Sequence, residues 1–163
     1  MPEPVVHIAL IHPEIPQNTG NVGRLCVGLG LRLHLVHPLG FRTDEKAVRR
    51  AGIDHWRQVD LQEWPSLEAF LRWTDGRRVH VLTRHAARPV SMAVFTRGDV
   101  LVFGKESTGL PPALRGHDPS WRIPIPGPIR SLNLSNAVAV AAYEALRQLE
   151  PALFTPQEGP VSR

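Results

Sequence analysis

Short apolar runs rich in β-branched residues alternate along the chain with stretches of helical period. Val5 to Ile11 continues without a turn signal to His12-Pro13 and reads as a buried strand. Val22, Leu25, Cys26 and Leu29 then recur at i, i+3, i+4 and i+7, the spacing of a helix packed on one face. Asn18 is its expected N-cap, and Gly28 and Gly30 its stop signal. Leu33 to Val36, closed by His37-Pro38, is a second strand. The pattern further predicts a short charged helix over Asp44 to Ala51 and a short strand over Trp56 to Leu61. A helix over Ser66 to Trp73, strands over Arg78 to Thr83 and Asp99 to Phe103, and an extended piece over Trp121 to Ile125 follow. Leu134 to Leu149 is strongly helical, and the tail beyond Pro151 is expected to be loose. Strands alternating with helices make βα units, so the expectation is one α/β domain over residues 1–163 with a mainly parallel sheet and a core at about 5–150.

Composition narrows the classes. At 163 residues one domain is the default. The single cysteine, Cys26, excludes an intrachain disulfide, and no Cys/His set has structural-zinc spacing. None of the eight histidines falls in an H-E-x-x-H frame, so no metal site is expected. The longest apolar stretch, Ala137 to Ala142, is too short to span a bilayer, and Glu3 and Pro4 sit where a signal peptide would be basic. A soluble, cytoplasmic protein without membrane partners is expected.

The charge changes the picture more than its net value of +4. Of nineteen basic residues, all but Lys46 and Lys105 are arginines, whose planar fork suits phosphate oxygens. From Gly76 to Gly98 there are five arginines (77, 78, 84, 88 and 97), two histidines and no carboxylate. Such a patch is an electrostatic footprint for nucleic acid, although a charge run is as often a solvated face.

The usual nucleotide and esterase motifs are missing. The turn after the first strand has no G-x-G-x-x-G, Gly104-Lys105 lacks the glycine and hydroxyl of a P-loop, and no G-x-S-x-G occurs. Three other segments hold polar residues that a plain fold does not require. In Asn18-Thr-Gly-Asn-Val-Gly-Arg24, the arginine lies opposite the apolar stripe, with Gly20 and Gly28 a turn either side, open to close approach by another chain. Phe103-Gly-Lys-Glu-Ser-Thr-Gly-Leu110 follows a buried strand, where α/β sheets bind ligands. Glu106 there is either a working carboxylate or part of a simple turn, and its residues alone favour the turn. Arg130-Ser-Leu-Asn-Leu-Ser-Asn136 carries four Ser or Asn in six positions, where a helix N-cap needs one. The small residues around the helix that follows suggest burial on both faces, against another subunit.

Together, N-T-G-N-x-x-R, F-G-x-E-x-x-G-L-P and R-S-L-N-L-S-N-A resemble the three signature motifs of the SPOUT RNA methyltransferases of the ribose 2′-hydroxyl branch. The chain is similar in particular to the minimal members that modify the tRNA wobble nucleotide, cytidine or uridine 34. It shares with them E-I-P-x-N-T-G-N, R-L-H-L-V-x-P-x-G-F and R-R-A-G-x-D, so the resemblance runs from Ile8 to about Leu149. It implies a C-terminal deep trefoil knot, an obligate homodimer built on the first and last helices, and S-adenosylmethionine as cofactor without a metal. By motif, Leu82, Gly104, Ile123 and Ser131 are implied to contact the cofactor. Arg24, supported by Asn18, Glu106 and Asn133, is implied to be catalytic. Tyr143 has a family position near the site but is expected to be buried packing. An arginine side chain keeps its proton up to about pH 12, so Arg24 is read as clamping a phosphate rather than as the base.

The expected partner is a tRNA anticodon stem-loop. With no RNA-binding extension in the chain, RNA contacts are expected from the Arg77–Arg97 segment with Arg42, Arg49 and Arg50. The alternatives are the same chemistry on ribosomal RNA or another tRNA position, and a non-catalytic RNA-binding protein.

Overall fold

A computed structural model describes residues 2–44, 46 and 54–159. The expected helix over 44–51, and with it Arg49 and Arg50, lies almost wholly outside these residues. Six parallel strands form one sheet: β1 (Val6–Ile11), β2 (Arg32–Val36), β3 (Asp60–Trp64), β4 (Val79–Leu82), β5 (Asp99–Phe103) and β6 (Ser120–Trp121). Their order across the sheet is β3-β2-β1-β5-β4-β6. Three helices that lie wholly within the described residues flank it: α1 (Pro16–Leu29), α2 (Leu67–Thr74) and α3 (Leu134–Leu149).

Both faces of the sheet are covered, which is why the central strands read as continuous apolar runs rather than alternating ones. Val6, Ile8 and Leu10 of β1 face α1 and α3, joining Val22, Cys26, Leu101, Phe103, Val138 and Ala142. Ala9 and Ile11 point the other way, to Phe70 of α2 with Val81, Val100 and Val102.

Helix α1 starts two residues before the expected cap. Pro16 occupies its first turn, where the missing N–H costs nothing, and Asn18 is buried inside the helix rather than capping it. Gly30, at φ 67°, ends α1 in the left-handed conformation that a glycine tolerates best. Trp56 does not begin a strand: it opens a short 3-10 turn over Trp56–Gln58, and β3 follows at Asp60. The reason is tertiary, because the Trp56 ring packs against Gly23 of α1, where an added Cβ would lie 2.9 Å from Cζ3. The last strand is only Ser120–Trp121, although Arg122 continues beside Pro89 as an isolated parallel bridge.

Three buried histidines thread the sheet, and their partners fix their tautomers. The Trp64 indole N–H donates to His34 Nδ1 (3.0 Å), so His34 Nε2–H donates to His7 Nδ1 (2.9 Å) and His7 Nε2–H to the Glu3 carboxylate (2.8 Å). On the opposite face the Trp121 indole donates to His80 Nδ1 (2.9 Å), and His80 Nε2–H to Asp99 (2.8 Å). Burial holds all three imidazoles below the usual histidine range, His34 at about 3. Unfolding restores the ordinary pKa near 6.5, so below that pH the unfolded chain takes up protons that the native chain refuses. Stability is therefore complete above about pH 6.5 and declines as pH falls toward 3, by roughly 1.4 kcal/mol per pH unit for each histidine still neutral in the native state. Thermal unfolding should show a midpoint falling clearly between pH 7 and pH 5, and a flat midpoint over that range would contradict the assignment.

Candidate active site at the carboxyl edge of the sheet

The carboxyl ends of β1, β5, β4 and β6 lie side by side, and the three polar segments meet there. Gly104 leaves β5 into a loop that folds back at once. A Cβ on Gly104 would lie 2.3 Å from the carbonyl carbon of Gly109 and 2.5 Å from the amide nitrogen of Leu110. Reciprocal bonds between Lys105 and Gly109 (N–H to O, 3.1 and 2.9 Å) close the loop, with Gly109 at φ 74°.

This loop positions Glu106. Its carboxylate accepts the backbone N–H groups of Glu14 (2.8 Å) and Ile15 (3.3 Å), the residues that lead into α1. Ile15 offers no side-chain cap, so a carboxylate 91 residues away in sequence serves the start of the helix, where the helix dipole also favours negative charge. Ser107 Oγ donates to Glu14 Oε1 (2.6 Å) and Lys105 Nζ lies 3.6 Å from the same oxygen. Gly40 closes the other side, donating its N–H to Pro13 O (2.9 Å) with no room for a side chain against the Glu14 backbone. Glu14, Lys105 and Ser107 were not singled out by the sequence, because their partners are remote in the chain.

Asn133 ties the third segment to the first. Its Oδ1 accepts from Ser135 N–H (2.9 Å) and caps α3, while its Nδ2 donates to Asn18 Oδ1 (2.9 Å). The neighbouring Thr19 hydroxyl is buried and has no partner among the described residues. Arg24 is not brought into this network: it lies exposed on α1, about a third of a turn round the helix from Asn18, with no ion pair among the described residues.

The other predicted residues reach the same edge. Leu82 ends β4 in register with Phe103, just before Gly104, and with Trp121, two residues before Ile123. Leu82 is buried and Ile123 half-buried against the core, while Ser131 is exposed in the loop before α3. An apolar level formed by two strand ends, beside a loop that has excluded every side chain at Gly104, fits a flat nucleoside held by backbone groups.

The model of the SpoU rRNA Methylase family matches residues 5–143. The chain belongs to the SpoU methylase family. A relative from Acidovorax sp. (strain JS42), the tRNA (cytidine(34)-2'-O)-methyltransferase, is 48% identical over 147 residues, covering 87% of this chain and 91% of that one. A solved structure described as giving structural insights into the 2-OH methylation of C/U34 on tRNA is 48% identical, with a TM-score of 0.84 over 90% of this chain and 97% of that one. The AdoMet-bound rRNA methyltransferase from Sinorhizobium meliloti is 26% identical, with a TM-score of 0.80 over 91% of this chain and 58% of that one. The six-stranded parallel sheet with flanking helices is thus the SpoU architecture.

Within this SpoU fold, the expected packing role of Tyr143 is corrected. The ring is 48% exposed on the outer face of α3, edge-on to Phe154 at 6.5 Å. Val140, three residues earlier on the same face, is also exposed, so the small residues of α3 bury one face, and the other is uncovered in the single chain. No helix among the described residues is long and apolar enough to cross a membrane.

Proposed function

We propose that this chain methylates the ribose 2′-hydroxyl of the tRNA wobble nucleotide, cytidine or uridine 34, with S-adenosylmethionine as donor. The observation that carries the reading is the Asn133–Asn18 bond together with the Glu106 clamp, which join all three sequence motifs at one edge of the sheet. The relatives whose names or descriptions state this activity support it.

S-adenosylmethionine, when bound, supplies a methyl group on a sulfonium that a ribose oxygen can displace in line. Leu82 and Ile123 offer the adenine an apolar slot, and the loop at Gly104 and the residues around Ser131 present backbone groups to the rest. Arg24 contacts the RNA rather than accepting the proton, since guanidinium is a poor base and a good partner for phosphate. No carboxylate among the described residues engages it, which leaves its donors available to a substrate. Glu106 and Asn133 act as positioning residues for α1, which carries Asn18 and Arg24.

Two further features belong to the reading. The exposed Val140, Tyr143, Leu153 and Phe154 are the surface that a second copy of the chain covers, making a homodimer. The C-terminal segment threads the β4–β5 loop as a trefoil knot. This is supported by Arg122 running beside Pro89 (Val90 N–H to Arg122 O, 2.7 Å) and by Gln148 of α3 bonding Ala93 and Phe95 of that loop. A crystallographic chain trace decides it.

The test is transfer from labelled S-adenosylmethionine to bulk tRNA from a strain lacking the protein, with the product nucleotide mapped and the enzyme's mass taken by sedimentation. The expected result is a two-chain particle that makes a 2′-O-methyl group at the wobble nucleotide, with Arg24→Ala slower by a hundredfold or more, roughly the loss when one preorganised donor is removed. Label at another tRNA position, or only in ribosomal RNA, would overturn the substrate and leave the chemistry. A single-chain mass would overturn the dimer.

A further inference from the structure

The arginines of the basic segment divide into two groups that the sequence does not distinguish. Arg77 bonds Glu3 (3.1 Å) and lies over the Trp73 ring at 4.4 Å. Arg78 donates to Thr96 Oγ1 and Val94 O, both at 2.9 Å. Arg88 pairs with Asp118 (2.5 Å) and stacks on Trp121 at 4.5 Å, and Arg97 pairs with Glu150. These four tie loops to the sheet and to α3. Arg84, between them in sequence, has no ion pair or side-chain hydrogen bond among the described residues, and neither do Arg122 and Arg130.

All three lie on segments at the carboxyl edge of the sheet. Arg84 lies two residues past β4 and Arg122 one past β6, strands paired with Leu82 opposite Trp121. Thr83 N–H donates to Trp121 O at 2.9 Å, so the two arginines leave neighbouring strand ends. Arg130 stands three residues before Asn133, which bonds Asn18. Of the carboxylates on these segments, Asp118 is paired with Arg88 and Glu14 with Lys105, while Glu106 is turned onto the amides of Glu14 and Ile15. Uncompensated guanidinium groups along one edge repel one another, and a polyanion laid across them relieves that repulsion while using the fork geometry of arginine.

We infer that Arg84, Arg122 and Arg130 form the row that grips the phosphate backbone of the RNA substrate, whereas Arg77, Arg78, Arg88 and Arg97 serve the fold. The inference rests on the RNA-methylation reading above. It also revises the sequence expectation, in which the whole Arg77–Arg97 segment together with Arg42, Arg49 and Arg50 met the RNA; Arg42 pairs with Asp44 at 2.7 Å, and Arg49 and Arg50 lie outside the described residues.

The test measures binding of the full-length protein to bulk tRNA as a function of KCl concentration, with S-adenosylhomocysteine affinity and thermal midpoint recorded for each variant. Arg84→Ala, Arg122→Gln and Arg130→Ala should each reduce the magnitude of the log–log salt slope by about one, with S-adenosylhomocysteine affinity unchanged. Arg77→Ala and Arg97→Ala should keep the wild-type slope and lower the thermal midpoint. An unchanged slope in the first three, or an equal loss in Arg77→Ala and Arg97→Ala, overturns the row. If the wild type methylates another nucleotide while the slopes divide as expected, the substrate reading fails and the row stands. If wobble methylation is found and the slopes do not divide, the row alone fails.

Discussion

Gly104→Ala should abolish methyl transfer and S-adenosylmethionine binding while leaving a folded protein. The atoms that an added Cβ would meet, Gly109 C at 2.3 Å, Leu110 N at 2.5 Å and Gly109 O at 2.7 Å, are backbone and cannot rotate aside as a side chain would. The loop must therefore open, breaking the paired Lys105–Gly109 bonds and moving two things at once. The backbone that would face the cofactor shifts from the ends of β4 and β5, and Glu106 leaves the amides of Glu14 and Ile15. The sheet beneath is untouched, so the stability loss should stay in the range of about 1–3 kcal/mol typical of overpacking. Calorimetric titration with S-adenosylhomocysteine and a single-turnover assay check this. Binding and rate within a few-fold of wild type would show that the loop does not form the cofactor site.

The second large effect is expected at Glu106, where two substitutions separate positioning from proton transfer. Glu106→Ala leaves two N–H groups at the start of α1 without their acceptor. Water reaches both in part, so about 1 kcal/mol of stability is at stake. The larger consequence is for activity: α1 carries Asn18 and Arg24, and releasing its first turn displaces both. A misplacement of this kind can cost about a hundredfold. Glu106→Gln keeps one carbonyl oxygen for the Glu14 N–H and should retain much more activity than Glu106→Ala, with the pH–rate profile unchanged in shape. If Gln and Ala were equally inactive and the acid limb of the profile disappeared, the carboxylate would be taking the proton itself.

These variants mark how far the sequence reaches. The strands at Val6–Ile11, Arg32–Val36 and Asp99–Phe103 and the helix at Leu134–Leu149 are legible because their signals are local: buried β-branched runs, and apolar residues at helical period. The expectations at Asn18 and Trp56 fail for one shared reason. Each residue has the local chemistry for one role, a helix cap or a strand start, and is recruited elsewhere by a partner remote in sequence, Asn133 and Gly23 respectively. Tyr143 differs: nothing local says which side of a helix lined with small residues meets the core, and packing leaves it outside.

By itself the sequence determined the α/β class, the parallel sheet and the three motif segments, since periodicity and residue type are properties of neighbours along the chain. Only the tertiary structure decided what those segments do to one another: that Glu106 holds the entry to α1, that Asn133 bonds Asn18, and which arginines find no counter-charge among the described residues. Hydrogen bonds and ion pairs act over a few ångströms of space whatever the separation in sequence, so these roles exist only once the chain has folded.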